Sequence, residues 1–141
     1  DIIKSWGRAY GRRGFFQYQF VIPINDGIKG IENILKEIKN HGEIPALGVL
    51  KTFGDIKSIG MMSFPRKGLT MALDFQNKGT RTLEFFNKLD NIVMEYGGAL
   101  YPGKDSRMSK EVFVSSFPNL SEFTKYIDPK FSSSFWRRVN D

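Results

Sequence analysis

The clearest structural signal in this chain is the run FFQYQFVI at positions 15–22. Its side chains alternate between two faces with the period of two that a β-strand imposes. One face is apolar or aromatic, whereas the other carries two amides, Gln17 and Gln19, between Phe15 and Val21. We therefore predict a strand here, with one face on the core and a polar patch on the other.

An amphipathic helix is predicted directly after this strand. Asn25 or Asp26 can accept hydrogen bonds from the first backbone amides of the helix, and His41 followed by Gly42 is typical of a helix end. The spacing of the apolar residues predicts the face that packs on the sheet. This stripe consists of Ile28, Ile31, Ile34, Leu35 and Ile38.

The next segments extend this pattern to a whole α+β domain. Further strands are predicted at 46–53, at 61–64 as a short element, at 69–75 and at 99–101. A second helix is predicted to start with Thr80 as its cap and to end at Gly97 and Gly98, with Leu83, Phe86, Leu89, Val93 and Tyr96 on its buried face. This order predicts a ferredoxin-like antiparallel sheet with both helices on one face.

The pattern changes after Tyr101. Ser109 can start one helix, and Asn119 with Glu122 resembles a capping box for another. The tail at 132–138 shows no clear period. We expect residues 101–141 to form an appendage that packs on another surface, because a basic tail carrying an aromatic pair has little reason to be exposed.

Composition excludes several classes of protein and site. The chain has 141 residues, no cysteine and one histidine, so disulfides, thiolate metal sites and histidine clusters are excluded and no metal is expected. No apolar run approaches the roughly 20 residues of a membrane-spanning helix. The net charge of +6 favours anionic partners, although charge alone does not choose among them.

Polar residues within the predicted strands are the candidate functional groups. Gln17 and Gln19 could form a pocket wall or simply the solvent-facing side of a strand. Lys51 shares a strand face with Leu47, Val49 and Phe53, which fits either a functional ammonium or a snorkelling lysine.

Two further stretches carry polar groups with different expected roles. Tyr101 and Lys104 flank a Pro-Gly turn that would bring a phenol and an ammonium together. The alternative interpretation is a solvent-exposed turn without a functional role. We expect Asp74 to make a structural hydrogen bond and His41 to serve only the end of its helix.

Taken in order, a string of short motifs resembles the FAD-linked oxidases of the vanillyl-alcohol-oxidase type, and most closely their decaprenylphosphoryl-ribose oxidase branch. The resemblance is carried by WGRAYG at 6–11, GFFQYQFVIP at 14–23, LKTFG at 50–54, 63–65, 73–75, GGALYPGKDSR at 97–107, 128–129 and 137–138. Thr70 and Ala72 stand where that branch has other pocket side chains.

The resemblance implies a C-terminal part of such an enzyme. Residues 1–100 would belong to the substrate (cap) domain and 101–141 would return to the FAD-binding domain, whose N-terminal part would be the missing partner. The start at Asp1, within an apparent amphipathic segment over 1–10, is also expected of an excised piece. The complete protein would use FAD to oxidise a sugar or sugar-lactone hydroxyl by hydride transfer, and this piece alone would be inactive.

The same resemblance assigns roles to individual residues. Gln17, Gln19 and Lys51 match residues that line the substrate pocket, and Phe53 matches an aromatic wall of it. Tyr101 and Lys104 match residues that approach the flavin and the reacting alcohol, which gives them catalytic and cofactor-binding roles. We expect a cytoplasmic protein that can lie at the periphery of a membrane.

Two other functions remain open. A basic ferredoxin-like sheet is also typical of RNA-recognition modules, but the predicted strands 47–53 and 69–75 lack the basic, glycine and aromatic signature of those modules, so nucleic acid is not the expected partner. A third possibility is a dimerising domain without a ligand, which would leave Lys51 unexplained.

Overall fold

The computed structural model describes Arg8 and residues 10–140. Trp6, Gly7 and Ala9 of the first motif, and most of the expected amphipathic segment over 1–10, lie outside the described residues. The main elements are β1 (Phe15–Pro23), α1 (Gly27–His41), β2 (Leu47–Phe53), β3 (Gly68–Gln76), α2 (Thr80–Glu95) and β4 (Ala99–Leu100). They are followed by a 3₁₀ turn (Pro102–Lys104), α3 (Lys110–Ser116), α4 (Leu120–Phe123), a second 3₁₀ turn (Thr124–Tyr126) and α5 (Ser134–Asn140).

The described strands form one antiparallel sheet in the order β2-β3-β1-β4. This order, with a helix after β1 and another after β3, confirms the predicted ferredoxin-like α+β fold. The central strands approach each other closely: a Cβ at Gly68 would lie 2.1 Å from the carbonyl oxygen of Ile22. Only glycine fits at this position of β3.

The alternation of β1 determines where the core lies. Tyr18, Phe20 and Ile22 point to one face and are almost completely buried. Buried side chains of both helices pack in the same cluster, which confirms that α1 and α2 cover one face of the sheet. These helical residues are Ile31, Ile34, Ile38, Phe85, Phe86, Leu89 and Val93.

At the two ends of α1 the structure confirms one of the predicted features and contradicts the other. Gly42 adopts the predicted left-handed conformation at the end of α1, with φ of 71°. The expected cap at the start of α1 is wrong, because the Asp26 side chain makes no capping hydrogen bond. Ile28 is 71% exposed and Leu35 is 44% exposed, so the buried stripe is narrower than predicted.

The second helix begins at Thr80, the residue predicted as its cap, so the cap lies one position earlier than predicted. Thr80 is the first residue of α2, and Gly79, with φ of 71°, takes the capping position. The hydroxyl of Thr82 accepts a hydrogen bond from the backbone N–H of Lys78 at 2.9 Å. The Thr82 side chain, in the first turn of α2, therefore provides the hydrogen-bond acceptor for a backbone N–H just before the helix.

The segment between β2 and β3 is a loop, so the predicted short strand at 61–64 is wrong. Phe64 is buried against Val21 and Ala99 on the sheet face that lies away from the helices. This contact explains the apolar run that resembled a strand, because the loop folds back and covers one end of the open face.

The C-terminal segment shares the core of the sheet domain. Val112, Phe113 and Val139 belong to the same buried cluster as the strand residues. Ser109 caps α3 as predicted, but the Asn119 side chain makes no capping bond. The tail forms a helix, α5, which its sequence did not indicate. Among the described residues, no helix is long and apolar enough to cross a bilayer.

Candidate functional site

The strand register places the candidate residues of the sheet on its open face. Gln17 lies opposite Asp74 on β3, and Lys51 lies opposite Thr70 on the same strand. Because side chains alternate along each strand, these residues and Gln19 all lie on the side away from α1 and α2. The amide patch that the sequence predicted is therefore a feature of one sheet face.

A cleft of about 470 Å³ opens at the β4 end of this face. It brings together four of the six predicted site residues, Gln19, Phe53, Tyr101 and Lys104, although they come from distant parts of the chain. Its wall is completed by Met62, Phe64, Pro65, Pro102 and Gly103. The ring of Phe64 lies between Phe53 and Tyr101, with ring centroids 6.0 and 4.8 Å away.

Gln17 and Lys51 are not part of this wall. Gln17 borders a much smaller cavity that also has Lys104, Ser106 and Arg107 in its lining. Lys51 is exposed on the edge strand β2. Lys104 therefore lies at the border of both cavities, whereas Lys51 shares only the sheet face with the rest of the predicted set.

Buried groups on β3 hold both amides. Gln17 Nε2 donates to Asp74 Oδ1 at 2.8 Å, and the hydroxyl of Tyr10 donates to Asp74 Oδ2 at 3.1 Å. These bonds confirm the predicted structural role of Asp74. Gln19 Nε2 donates to the hydroxyl of Thr70 at 3.3 Å.

The 3₁₀ turn after β4 presents the phenol and the ammonium to the cleft. The backbone N–H of Lys104 donates to the carbonyl oxygen of Tyr101 at 3.2 Å, which closes the turn. A Cβ at Gly103 would lie 2.9 Å from the Tyr101 hydroxyl. No described residue forms a hydrogen bond or an ion pair with the Lys104 ammonium, which is thus available to a ligand.

A buried ion pair behind the turn was missed by the sequence analysis. The Arg107 guanidinium binds both carboxylate oxygens of Asp90, at 2.6 and 2.7 Å, and the hydroxyl of Tyr18 donates to the same carboxylate at 2.9 Å. Burial, followed by the charge of Asp90, raises the pKa of Tyr18 well above its usual value. The available signal was an acidic residue on the buried face of α2.

Other candidates lie away from the cleft. His41 stacks on Phe85 with ring centroids 4.6 Å apart, at the end of α1. Within the described part of the chain, no group of three or more histidine or acidic side chains is placed to hold a metal ion. The cleft is the candidate site because it brings together most of the predicted residues.

Comparison with known proteins gives two informative relatives. No family model matches the chain. It is 37% identical over 144 aligned residues to decaprenylphosphoryl-beta-D-ribose oxidase of Mycolicibacterium smegmatis, an alignment that covers 99% of the chain and 31% of that oxidase. It is 28% identical over 144 residues to an uncharacterized protein in the mprA 5' region of Streptomyces coelicolor, covering 97% of the chain and 38% of that protein. The chain thus spans about a third of the length of these relatives.

Proposed function

From the confirmed resemblance of this chain to a known oxidase, we propose that it is the C-terminal part of an FAD-dependent oxidoreductase that oxidises a sugar or sugar-lactone hydroxyl. Residues 1–100 are the later part of its substrate domain, and 101–141 return to the FAD-binding domain. The chain alone is inactive in this proposal, because the segment that binds most of the cofactor lies elsewhere in the protein. A cytoplasmic or membrane-peripheral location belongs to the same proposal.

The observation that carries this proposal is the cleft in which Gln19, Phe53, Tyr101 and Lys104 meet. It combines aromatic walls, a phenol, an amide and an ammonium that no described residue neutralises. Small-molecule sites have this mixture of apolar walls and a few convergent polar groups. A sugar ring with several hydroxyls suits such a wall, because an amide can both donate and accept hydrogen bonds.

The residues of the cleft also fit a flavin. Gln19 and Lys104 both line the cleft, and the Lys104 ammonium has no hydrogen-bond or ion-pair partner among the described residues. A bound FAD would supply the hydride acceptor. The Lys104 ammonium would then provide positive charge that stabilises the negative charge formed during hydride transfer.

Each predicted residue has a role in this proposal. Lys104 and Tyr101 contact the flavin and the reacting alcohol. Gln19 binds hydroxyls of the substrate from the wall of the cleft, and Gln17 and Lys51 bind the part of the substrate that extends beyond the cleft along the same sheet face. Phe53 packs against the sugar ring and keeps water from it.

The test is the rate at which substrate reduces the flavin in the complete protein, measured by stopped-flow absorbance. Lys104→Ala should slow this step by about a hundredfold or more, because one preorganised charge is worth that much in other enzymes. Lys36→Ala, on an exposed face of α1, is the matched control and should leave the rate unchanged. An unaltered rate in Lys104→Ala would refute the catalytic role.

The alternative of an RNA-binding module has little support from the sheet. Such modules stack bases on aromatic side chains of the central strands. Between 17 and 21 on β1 and between 70 and 74 on β3, the open face carries Gln17, Gln19, Val21, Thr70, Ala72 and Asp74, with no aromatic ring among them. Salt-dependent binding of an oligonucleotide to the chain would restore this alternative.

A further inference from the structure

Residues on β3 fix the orientation of the two glutamine amides on the open face, that is, which of the oxygen and the nitrogen points to β3. The oxygen and the nitrogen of a glutamine side chain exchange places when the amide turns over, so an isolated amide offers either end to a ligand. A buried partner that can act only as an acceptor, or only as a donor, removes this choice.

Thr70 fixes the amide of Gln19. Its side chain is buried, with 1% exposed, and its hydroxyl has a single proton. That proton is donated at 2.8 Å to the carbonyl oxygen of Phe20, which can only accept. The Thr70 oxygen must therefore accept from Gln19, which directs Nε2 to β3 at 3.3 Å.

Asp74 fixes the amide of Gln17 in the same way. Its carboxylate is buried, with 5% of the residue exposed, and it can only accept hydrogen bonds when ionised. One oxygen accepts from Tyr10 and the other from Gln17 Nε2. Within the described residues, neither amide oxygen accepts a hydrogen bond, but only Gln19 lines the cleft, so its oxygen is the one that remains for a ligand there.

We propose that Thr70 is a specificity-determining residue of the cleft, because it makes Gln19 present its carbonyl oxygen to the substrate. The proposal rests on the function assigned to the cleft above. At the Gln19 end of the cleft the ligand must offer a hydrogen-bond donor, as a neutral hydroxyl does, whereas a carboxylate or phosphate there would face an acceptor. Anionic or acceptor groups belong instead near the Lys104 ammonium.

The experiment uses Thr70→Val, because this substitution keeps the shape of the side chain and replaces its hydroxyl by a methyl group. The probes are methyl ribofuranosides in which each hydroxyl is replaced in turn by hydrogen or by fluorine, and their binding to the complete FAD-loaded protein is measured by the change in flavin absorbance. Fluorine can accept a hydrogen bond weakly but cannot donate one.

In the wild-type protein, one hydroxyl should prove to be a donor. At that position the hydrogen and fluorine analogues should both bind about tenfold more weakly than the parent sugar, and equally so. In Thr70→Val the amide can turn over, and the fluorine analogue should gain at least about threefold on the hydrogen analogue. Thr70→Ser keeps the hydroxyl and should retain the wild-type ratio.

Two results would overturn the proposal. One is a fluorine analogue that binds the wild-type protein as well as the parent sugar does. The other is a Thr70→Val variant whose ratio of fluorine to hydrogen analogue equals that of the wild-type protein.

A second measurement does not depend on any substrate. In the complete protein labelled with ¹⁵N glutamine, the Gln19 side-chain amide should show slowed hydrogen exchange that becomes several-fold faster in Thr70→Val but not in Thr70→Ser. If no sugar probe binds while this difference is seen, the proposed function is refuted, but the conclusion that Thr70 fixes the Gln19 amide is supported. If exchange is identical in all three proteins, the fixed amide is refuted whatever the probes do.

Discussion

The backbone N–H of Tyr101 donates a hydrogen bond of 2.9 Å to the carbonyl oxygen of Gln19. This bond continues the pairing of β1 with β4 by one position, since Phe20 pairs with Leu100. A residue of the sheet and a residue of the turn that leaves it thus become neighbours, although they are far apart in the sequence. The cleft exists because β4 is short and the chain turns away directly after it.

A substitution at Gly103 tests the importance of this turn. The new Cβ in Gly103→Ala would lie 2.9 Å from Cζ and from the hydroxyl of Tyr101, so the ring must move. We expect flavin reduction by substrate in the complete protein to slow by about tenfold to a hundredfold, because small displacements of reacting groups are costly. Gly103 is exposed, so the melting temperature should change little.

The matched control for this change is Gly54→Ala. A Cβ at Gly54 meets no atom within 4 Å, and this substitution should leave the reduction rate unaltered. Equal rates in Gly103→Ala and the wild-type protein would show that the position of the Tyr101 ring is unimportant for the reaction.

The parts of the fold that the sequence predicted are those governed by local rules. The alternation over 15–22 and the left-handed residue at Gly42 need no knowledge of distant contacts. The loop at 61–64 and the helix at 134–140 depend on packing partners elsewhere in the chain. Phe64 packs against Val21, and the ring of Trp136 packs edge-on against Phe113 with ring centroids 6.3 Å apart.

Local rules predicted the sheet face of the candidate site and the turn that brings Tyr101 and Lys104 together, but not how the face and the turn meet. Alternation alone places Gln17, Gln19 and Lys51 on one side of the sheet. Which of them reaches the cleft depends on the register of β1 with β3 and on the path of the chain after β4, and neither is encoded locally. The same applies to Thr70, whose bond to Gln19 spans the two strands.

The ion pair behind the turn makes a prediction about stability. Arg107→Met leaves the Asp90 carboxylate buried without its cation, and breaking such a pair costs about 3–5 kcal/mol in the free energy of unfolding. Chemical denaturation followed by circular dichroism measures this value. The surface pair of Lys125 with Glu122 is the control, because Lys125→Met should cost about 1 kcal/mol or less.

The double variant separates the two contributions to this loss. Replacing both partners, as in Asp90→Leu with Arg107→Met, removes the uncompensated charge and should recover part of the stability. A double variant less stable than Arg107→Met alone would show that the carboxylate contributes chiefly through its bond to Tyr18.

Two capping positions in the C-terminal segment differ in a way that can be measured. Ser109 accepts a hydrogen bond from the backbone N–H of Val112, whereas the Asn119 side chain makes none. Ser109→Ala should therefore lower the free energy of unfolding by about 1 kcal/mol. Asn119→Ala should lower it by clearly less, and an equal loss in both variants would contradict the difference in capping.

Tyr18 predicts how stability depends on alkaline pH. Burial raises the pKa of this phenol well above its usual value, whereas in the unfolded chain it ionises near pH 10. Above that pH the unfolded chain loses a proton that the folded chain keeps, so the free energy of unfolding falls as pH rises. Below pH 10 both states are protonated and this contribution is fully present.

The measurement is the melting temperature of the wild-type protein and of Tyr18→Phe between pH 8 and pH 11. Tyr18→Phe loses the bond to Asp90 and starts less stable at pH 8, but its stability should fall less steeply above about pH 10 because no buried phenol remains to titrate. Tyr126→Phe, at a residue that is 70% exposed, controls for the titration of the other groups and should follow the wild-type curve. Parallel curves for Tyr18→Phe and the wild-type protein would mean that the phenol ionises equally easily in both states, which the burial of Tyr18 against Asp90 does not allow.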